Sequence, residues 1–176
     1  NNGIWSEIEK IVAFDGMDYD FFGNALDLNN GKLVVGSFHD NNSYQNSGSV
    51  YLYEINQDNV STLINKITAF DEGINDNFGQ SVAIYGNYFA VGSLNDDNGL
   101  NSGAVYIYDI DDEFNEIKYI PDDGSQYDEF GGSIALYENT ILVGSQYSDD
   151  SIGSAYLTNI EGCPYSNACN YSSDLW

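Results

Sequence analysis

The side chains in this chain that could do chemistry are carboxylates, and they recur in a fixed pattern. Asp15 and Asp20, Asp71 and Asp76, and Asp123 and Asp128 each form an Asp-x4-Asp pair just ahead of Phe-Gly. A second set follows each pair: Asp40, then Asp96 and Asp97, then Asp149 and Asp150. Two carboxylates at close range repel by roughly 1 kcal/mol in water, and by more where water is excluded. A cluster of them either raises its own pKa values or gathers a cation. Calcium suits such a cluster, because it takes carboxylate and backbone oxygens together. The six paired aspartates are therefore candidate ligands of a weak Ca²⁺ site in each loop. The same residues also tighten turns through their own backbone bonds, and the sequence leaves both readings open.

Other chemistry has little to work with. The one histidine, His39, lies in a polar loop and reads as a surface residue, and any Ser-His-Asp or Cys-His arrangement would hinge on it. Two closely spaced cysteines and no second histidine give zinc no ligand set. The glycine-rich stretches read as turns and not as phosphate loops. A sialidase-like site would need arginine, and all 4 basic residues are lysine. A paired-carboxylate glycosidase stays open on composition alone, but the reading is that the chain is not an enzyme. Against those lysines stand 28 acids, for a net charge of −24. Such a surface repels nucleic acid and anionic lipid and favours cations, basic protein surfaces or neutral ligands. Tyr19, Tyr44, Tyr127 and Tyr147 fall in the acidic loops. Exposed loop tyrosines are what a protein- or glycan-binding surface uses. Together with Asp40, Asp96, Asp97, Asp149 and Asp150 they form the candidate binding set.

The elements that must position these loops are repeats of about 50 residues. Phe22-Gly23, Phe78-Gly79 and Phe130-Gly131 hold the same place in three repeats, and Val35-Gly36-Ser37, Val91-Gly92-Ser93 and Val143-Gly144-Ser145 follow about 13 residues later. Each repeat parses into the same strands. Strand A covers 24–28, 81–85 and 133–137; strand B, an apolar run, covers 32–37, 88–93 and 140–145. Strand C, at 49–55, 104–110 and 154–160, alternates, and its Tyr51, Tyr53, Tyr106, Tyr108 and Tyr156 read as packing between sheets. Strand D covers 62–70 and 116–120, with Ile8–Phe14 as its N-terminal counterpart and none after Ile160. Lys10, Lys66 and Lys118 fall inside strand D, where an edge lysine discourages aggregation. Alternating strand direction puts the D–A and B–C loops on one rim. Four antiparallel strands per repeat predict an all-β, β-propeller-like fold of three four-stranded blades, over about 4–57, 58–112 and 113–161.

These D-x-F-G, V-G-S and S-G-x-V/A-Y features resemble FG-GAP repeats, the blades of the integrin α-chain propeller, in a bacterial and marine variety. The resemblance covers about residues 4–160. It implies an extracellular adhesion or recognition module, at the cell or virion surface. Integrin-type blades carry a D-x-D-x-D-G-x-x-D calcium loop in the A–B hairpin. Here those hairpins are short (Leu28–Lys32, Tyr85–Tyr88, Tyr137–Thr140), so those calcium sites do not carry over. Residues 162–176 form a tail that resembles a Cys-containing "GC…ACNY" module of secreted proteins.

Compartment signals agree with export. Cys163 and Cys169 fit a small disulfide loop, with two free thiols as the alternative. Asn41, Asn59 and Asn170 begin glycosylation triplets. No apolar run is long enough for membrane insertion, and Asn1 reads as the start of a trimmed chain. The expected partner is a protein or glycan. The alternatives are a structural subunit of a filament, appendage or virion and, more remotely, a glycoside hydrolase. Three sheets leave little room around an axis, so ring closure is expected from more blades, of a longer chain or of separate chains.

Overall fold

A computed structural model describes residues 6–96 and 101–160. It contains eleven strands in three antiparallel sheets. The first sheet is β1 (Leu26–Asn29), β2 (Lys32–Ser37), β3 (Ser49–Ile55) and β4 (Ser61–Ile67). The second is β5 (Phe78–Tyr85), β6 (Tyr88–Ser93), β7 (Ala104–Asp109) and β8 (Asn115–Tyr119). The third has three strands, β9 (Phe130–Tyr137), β10 (Thr140–Ser145) and β11 (Ser154–Asn159). Strand B matches the sequence reading at both ends in every repeat, because its apolar run is buried between neighbours. At Ser148–Ser151 the third B–C loop makes a short left-handed turn, with Asp149, Asp150 and Ser151 at φ 53°, 58° and 69°.

The sheets stack face to face, in sequence order. Val34, Val50 and Leu52 of the first pack with Phe78, Val82, Ile84, Phe89 and Val91 of the second. Ala90, Val105 and Ile107 of the second pack with Phe130, Ile141 and Val143 of the third. The glycines of the V-G-S motif make this closeness possible. A Cβ on Gly36 would lie 2.0 Å from the carbonyl oxygen of Gly79, and one on Gly92 2.2 Å from that of Gly131. Gly79 and Gly131 sit at φ 94° and 92°, which a side chain disfavours. Each Phe-Gly also bridges to the preceding sheet, Phe78 to Gly48 and Phe130 to Gly103 in parallel. That bridge is why β5 and β9 begin at the Phe-Gly, while β1, with no sheet before it, begins at Leu26.

The structure corrects the N-terminal expectation. Ile8–Phe14 is not a strand. Among the described residues its backbone groups bond to no strand. Instead Ile11 and Ala13 cover Val35, Tyr51 and Tyr53 on the leading face of the first sheet. The Glu9 carboxylate accepts bonds from the Ser61 N–H and hydroxyl at 2.9 and 2.8 Å.

Candidate functional site

Each loop of the rim is held by the same set of bonds. Asp20 is buried and its Oδ2 accepts from the Met17 N–H at 2.6 Å. Asp76 accepts from Gly73 at 2.5 Å and Asp128 from Ser125 at 2.7 Å. The serine of each V-G-S motif then donates to that aspartate's own carbonyl: Ser37 to Asp20 at 3.0 Å, Ser93 to Asp76 at 2.9 Å, Ser145 to Asp128 at 2.8 Å. One aspartate of each pair is thus a turn device that ties the D–A connection to the end of strand B.

In the first two pairs the other aspartate meets a lysine. Lys66 Nζ lies 2.6 Å from Asp15 and 2.8 Å from Asp40, and 5.4 Å from the centre of the Tyr51 ring. The Tyr51 hydroxyl stands within bonding distance of both carboxylates, at 2.7 and 3.0 Å, but has one proton to give. The ammonium supplies the balance. The next sheet repeats this: Lys118 binds Asp71 at 2.6 Å and Asp96 at 2.8 Å, beneath Tyr106, whose hydroxyl faces both acids. Burial works against the charge on Lys66 and Lys118, but their carboxylate partners outweigh it and hold both ammonium groups above the usual lysine range. Burial likewise opposes ionisation of Asp15, yet Lys66 and Tyr51 hold its carboxyl below the ordinary value. Tyr51 and Tyr106 are pushed far up, by burial first and then by the neighbouring acids. These phenols stay neutral donors.

Placement corrects two sequence expectations. Lys66 and Lys118 are not solvent-facing edge guards, because two mutually repelling carboxylates draw each inward. Asp40 and Asp96 are buried in these sockets and are not surface ligands. Asp149 and Asp150 are exposed, and Asp149 accepts from the Ser154 hydroxyl at 2.8 Å. Asp97, Cys163, Cys169 and Asn170 lie outside the described residues. Asn41 and Asn59 are exposed, although Asn41 Oδ1 accepts the Asn46 N–H. As to calcium, no group of three or more His, Cys, Asp or Glu side chains that could hold a metal ion is assembled among the described residues. In this arrangement one aspartate of each pair caps a turn, Asp15 and Asp71 each hold an ammonium, and Asp123 accepts from Tyr156.

Tyr19, Tyr44, Tyr127 and Tyr147 are all exposed. Two of the loops that carry them, those of Tyr44 and Tyr127, are each bonded to a loop of the neighbouring sheet. Asn75 and Asn77 N–H groups donate to Gln45 and Asn46 carbonyls at 2.8 and 3.1 Å, and the Tyr127 N–H donates to Asn101 at 3.2 Å. Ser43 donates to Glu72 at 2.7 Å across the same seam. The B–C loop of one sheet and the D–A loop of the next therefore form one surface. Sequence reasoning missed an aromatic group at its end: Phe21 stacks on Phe38 at 5.2 Å, and His39 packs against both. Their signal was only three aromatic residues in two loops, with nothing to show that the loops meet.

The phenylalanine of each Phe-Gly stands edge-on to the central tyrosine of strand C, at 5.2 Å for Phe22–Tyr51 and 5.3 Å for both Phe78–Tyr106 and Phe130–Tyr156. One repeating unit thus accounts for the Phe-Gly, the V-G-S and the strand C tyrosine together. Compared with curated proteins, the chain matches none. Compared with protein families, residues 5–53, 62–108 and 114–158 match the FG-GAP repeat. Such repeats form propeller-type modules often used in adhesion or recognition, and this chain belongs to the FG-GAP repeat family.

Proposed function

We propose that this chain is an extracellular recognition module that binds a protein or a glycan through the laced loop rim. One observation carries the reading: four exposed tyrosines stand on rim loops, and those of Tyr44 and Tyr127 are bonded to a loop of the neighbouring sheet. Fixed backbone lowers the ordering cost of binding, and tyrosine offers a large contact area with few rotatable bonds. The acidic surroundings select against polyanions and for neutral sugars or basic protein patches. The one histidine is packed between phenylalanines, which suits a contact surface better than a general base. The test is binding of the 176-residue chain to a printed glycan array and to immobilised secreted proteins, at 0.15 and 0.5 M salt. Capture that survives the higher salt and is lost in a Tyr19→Ser, Tyr44→Ser, Tyr127→Ser, Tyr147→Ser variant with unchanged β content supports the reading. Capture indifferent to those substitutions refutes it.

A further inference from the structure

The tyrosines of strand C are engaged through both ring and hydroxyl. Tyr51, Tyr106 and Tyr156 each stand edge-on to the phenylalanine of a Phe-Gly, and each hydroxyl donates to an aspartate. Tyr108 stacks on Phe89 at 4.7 Å and donates to Glu116. A phenylalanine neighbour offers no phenol to react with. Tyr85 and Tyr137 differ, because they meet each other. Their ring centres are 5.2 Å apart and their planes are tilted by 57°. At that separation two aromatic rings are in contact.

The fold makes this pair. Tyr85 ends β5 and Tyr137 ends β9, the same position in neighbouring sheets, and each is followed by a two-residue turn. At the first junction that position is Asn29, whose Oδ1 accepts the Gly86 N–H at 3.1 Å. The two strands are tied near their starts, where the Ser81 hydroxyl of β5 donates to the Gly131 carbonyl of β9 at 2.6 Å. Tyr85 has a sheet on either side and is still partly exposed, so the position itself keeps a phenol within reach of a reagent in solvent. Tyr137 is exposed. The Glu138 carboxylate first, and then the Tyr85 phenol, hold the Tyr137 hydroxyl above the ordinary phenol range. Tyr137 thus meets an oxidant with its proton on, and Glu138 stands beside it to take that proton as an electron leaves.

We infer that Tyr85 and Tyr137 are an oxidative cross-linking site, at which a one-electron oxidant of the haem peroxidase class, supplied with hydrogen peroxide, joins the second and third sheets through dityrosine. The oxidant takes one electron and one proton from each phenol. The two phenoxyl radicals then form a carbon–carbon bond between the ring carbons next to the oxygens. The hydrogen on each joined carbon moves to the oxygen, which restores two phenols. In all, two hydrogens leave the protein and reduce one hydrogen peroxide to two waters. Partners already in contact couple far faster than partners that must meet by diffusion. The link closes a loop of about 50 residues and so restricts the unfolded chain as a disulfide does. The pair lies at the opposite end of its strands from the rim loops and is independent of what the rim binds.

The test is treatment of the purified 176-residue chain with a haem peroxidase and hydrogen peroxide, at about 1 µM so that coupling within one chain dominates. Dityrosine fluorescence should appear in the single-chain fraction. Cleavage after lysine should then yield peptides 67–118 and 119–176 joined, two hydrogens lighter than their sum. The cross-linked chain should melt about 10 °C higher. Tyr85→Phe and Tyr137→Phe keep the ring and should keep the β content, and each should lower the yield of joined peptide at least about tenfold. Tyr147→Phe should leave that yield unchanged, and unfolding the chain in urea before oxidation should abolish the preference for this pair. Absence of dityrosine from the single-chain fraction, products formed only between chains, or a joined peptide that survives either Tyr85→Phe or Tyr137→Phe would overturn the inference.

Discussion

Replacing Lys118 by methionine removes the ammonium from the better buried of the two lysine sockets and keeps most of the stem's packing. Asp96 is then left almost fully buried, beside Asp71 and under a tyrosine with one proton for both acids. Breaking a buried pair by removing one partner costs about 3–5 kcal/mol. Asp71 is a third exposed and recovers some hydration, so the expected cost is about 2–4 kcal/mol. For a domain of this size that lowers Tm by about 5–12 °C. Lys32→Met is the control, since Lys32 Nζ reaches only Asn87 at an exposed site and its loss should stay within about 0.5 kcal/mol. Calorimetry or thermal circular dichroism reads both. A double-mutant cycle with Asp96→Asn should return a coupling of at least about 1.5 kcal/mol. Equal small effects at Lys118 and Lys32, or additive behaviour with Asp96→Asn, would show that the socket does not hold the sheets.

Three further outcomes follow from the same geometry. Gly92→Ala puts a Cβ 2.2 Å from the Gly131 carbonyl and should cost about 3 kcal/mol in denaturant unfolding, while Gly144→Ala meets only the Ser133 side chain of its own sheet and should cost about 1 kcal/mol or less. Burial holds the Glu116 carboxyl above its ordinary range, so the native state keeps that proton longer than the unfolded chain, and this site's contribution to stability falls as pH rises from about 4.3 through the raised native value. Glu116→Gln should therefore flatten the pH–stability curve across that window and raise Tm at neutral pH. Millimolar Ca²⁺ should raise Tm no more than sodium chloride of equal ionic strength; a saturable rise, blunted by Asp20→Asn, would mean that the loop carboxylates regroup around the ion.

The sheets were legible in the sequence because period-2 alternation, the apolar strand B and the spacing of Phe-Gly to V-G-S recur in every repeat. Glycine at 36 and 92 recurs in the V-G-S motif, and the structure supplies its reason: the carbonyl of the next Phe-Gly. The sockets were not readable. Lys66 binds Asp15 of the preceding repeat and not Asp71 five residues on, because strand D pairs backward into the sheet before it. A sequence shows the period of a lysine but not which repeat its strand joins. The same backward pairing explains why Ile8–Phe14, with the composition of a strand, has no partner. Asp40 and Asp96 looked like loop ligands because polarity alone does not reveal that a buried ammonium balances them.

The central claim is that the lysine of each repeat closes the sheet before it. Nitrogen-15 NMR of the four lysine ammonium groups tests that directly. Lys66 and Lys118 should give Nζ–H signals that exchange slowly with water, since each is bonded to two carboxylates under a tyrosine. Lys32, which reaches Asn87 at an exposed site, should not. Four ammonium groups exchanging at one fast rate would contradict the account.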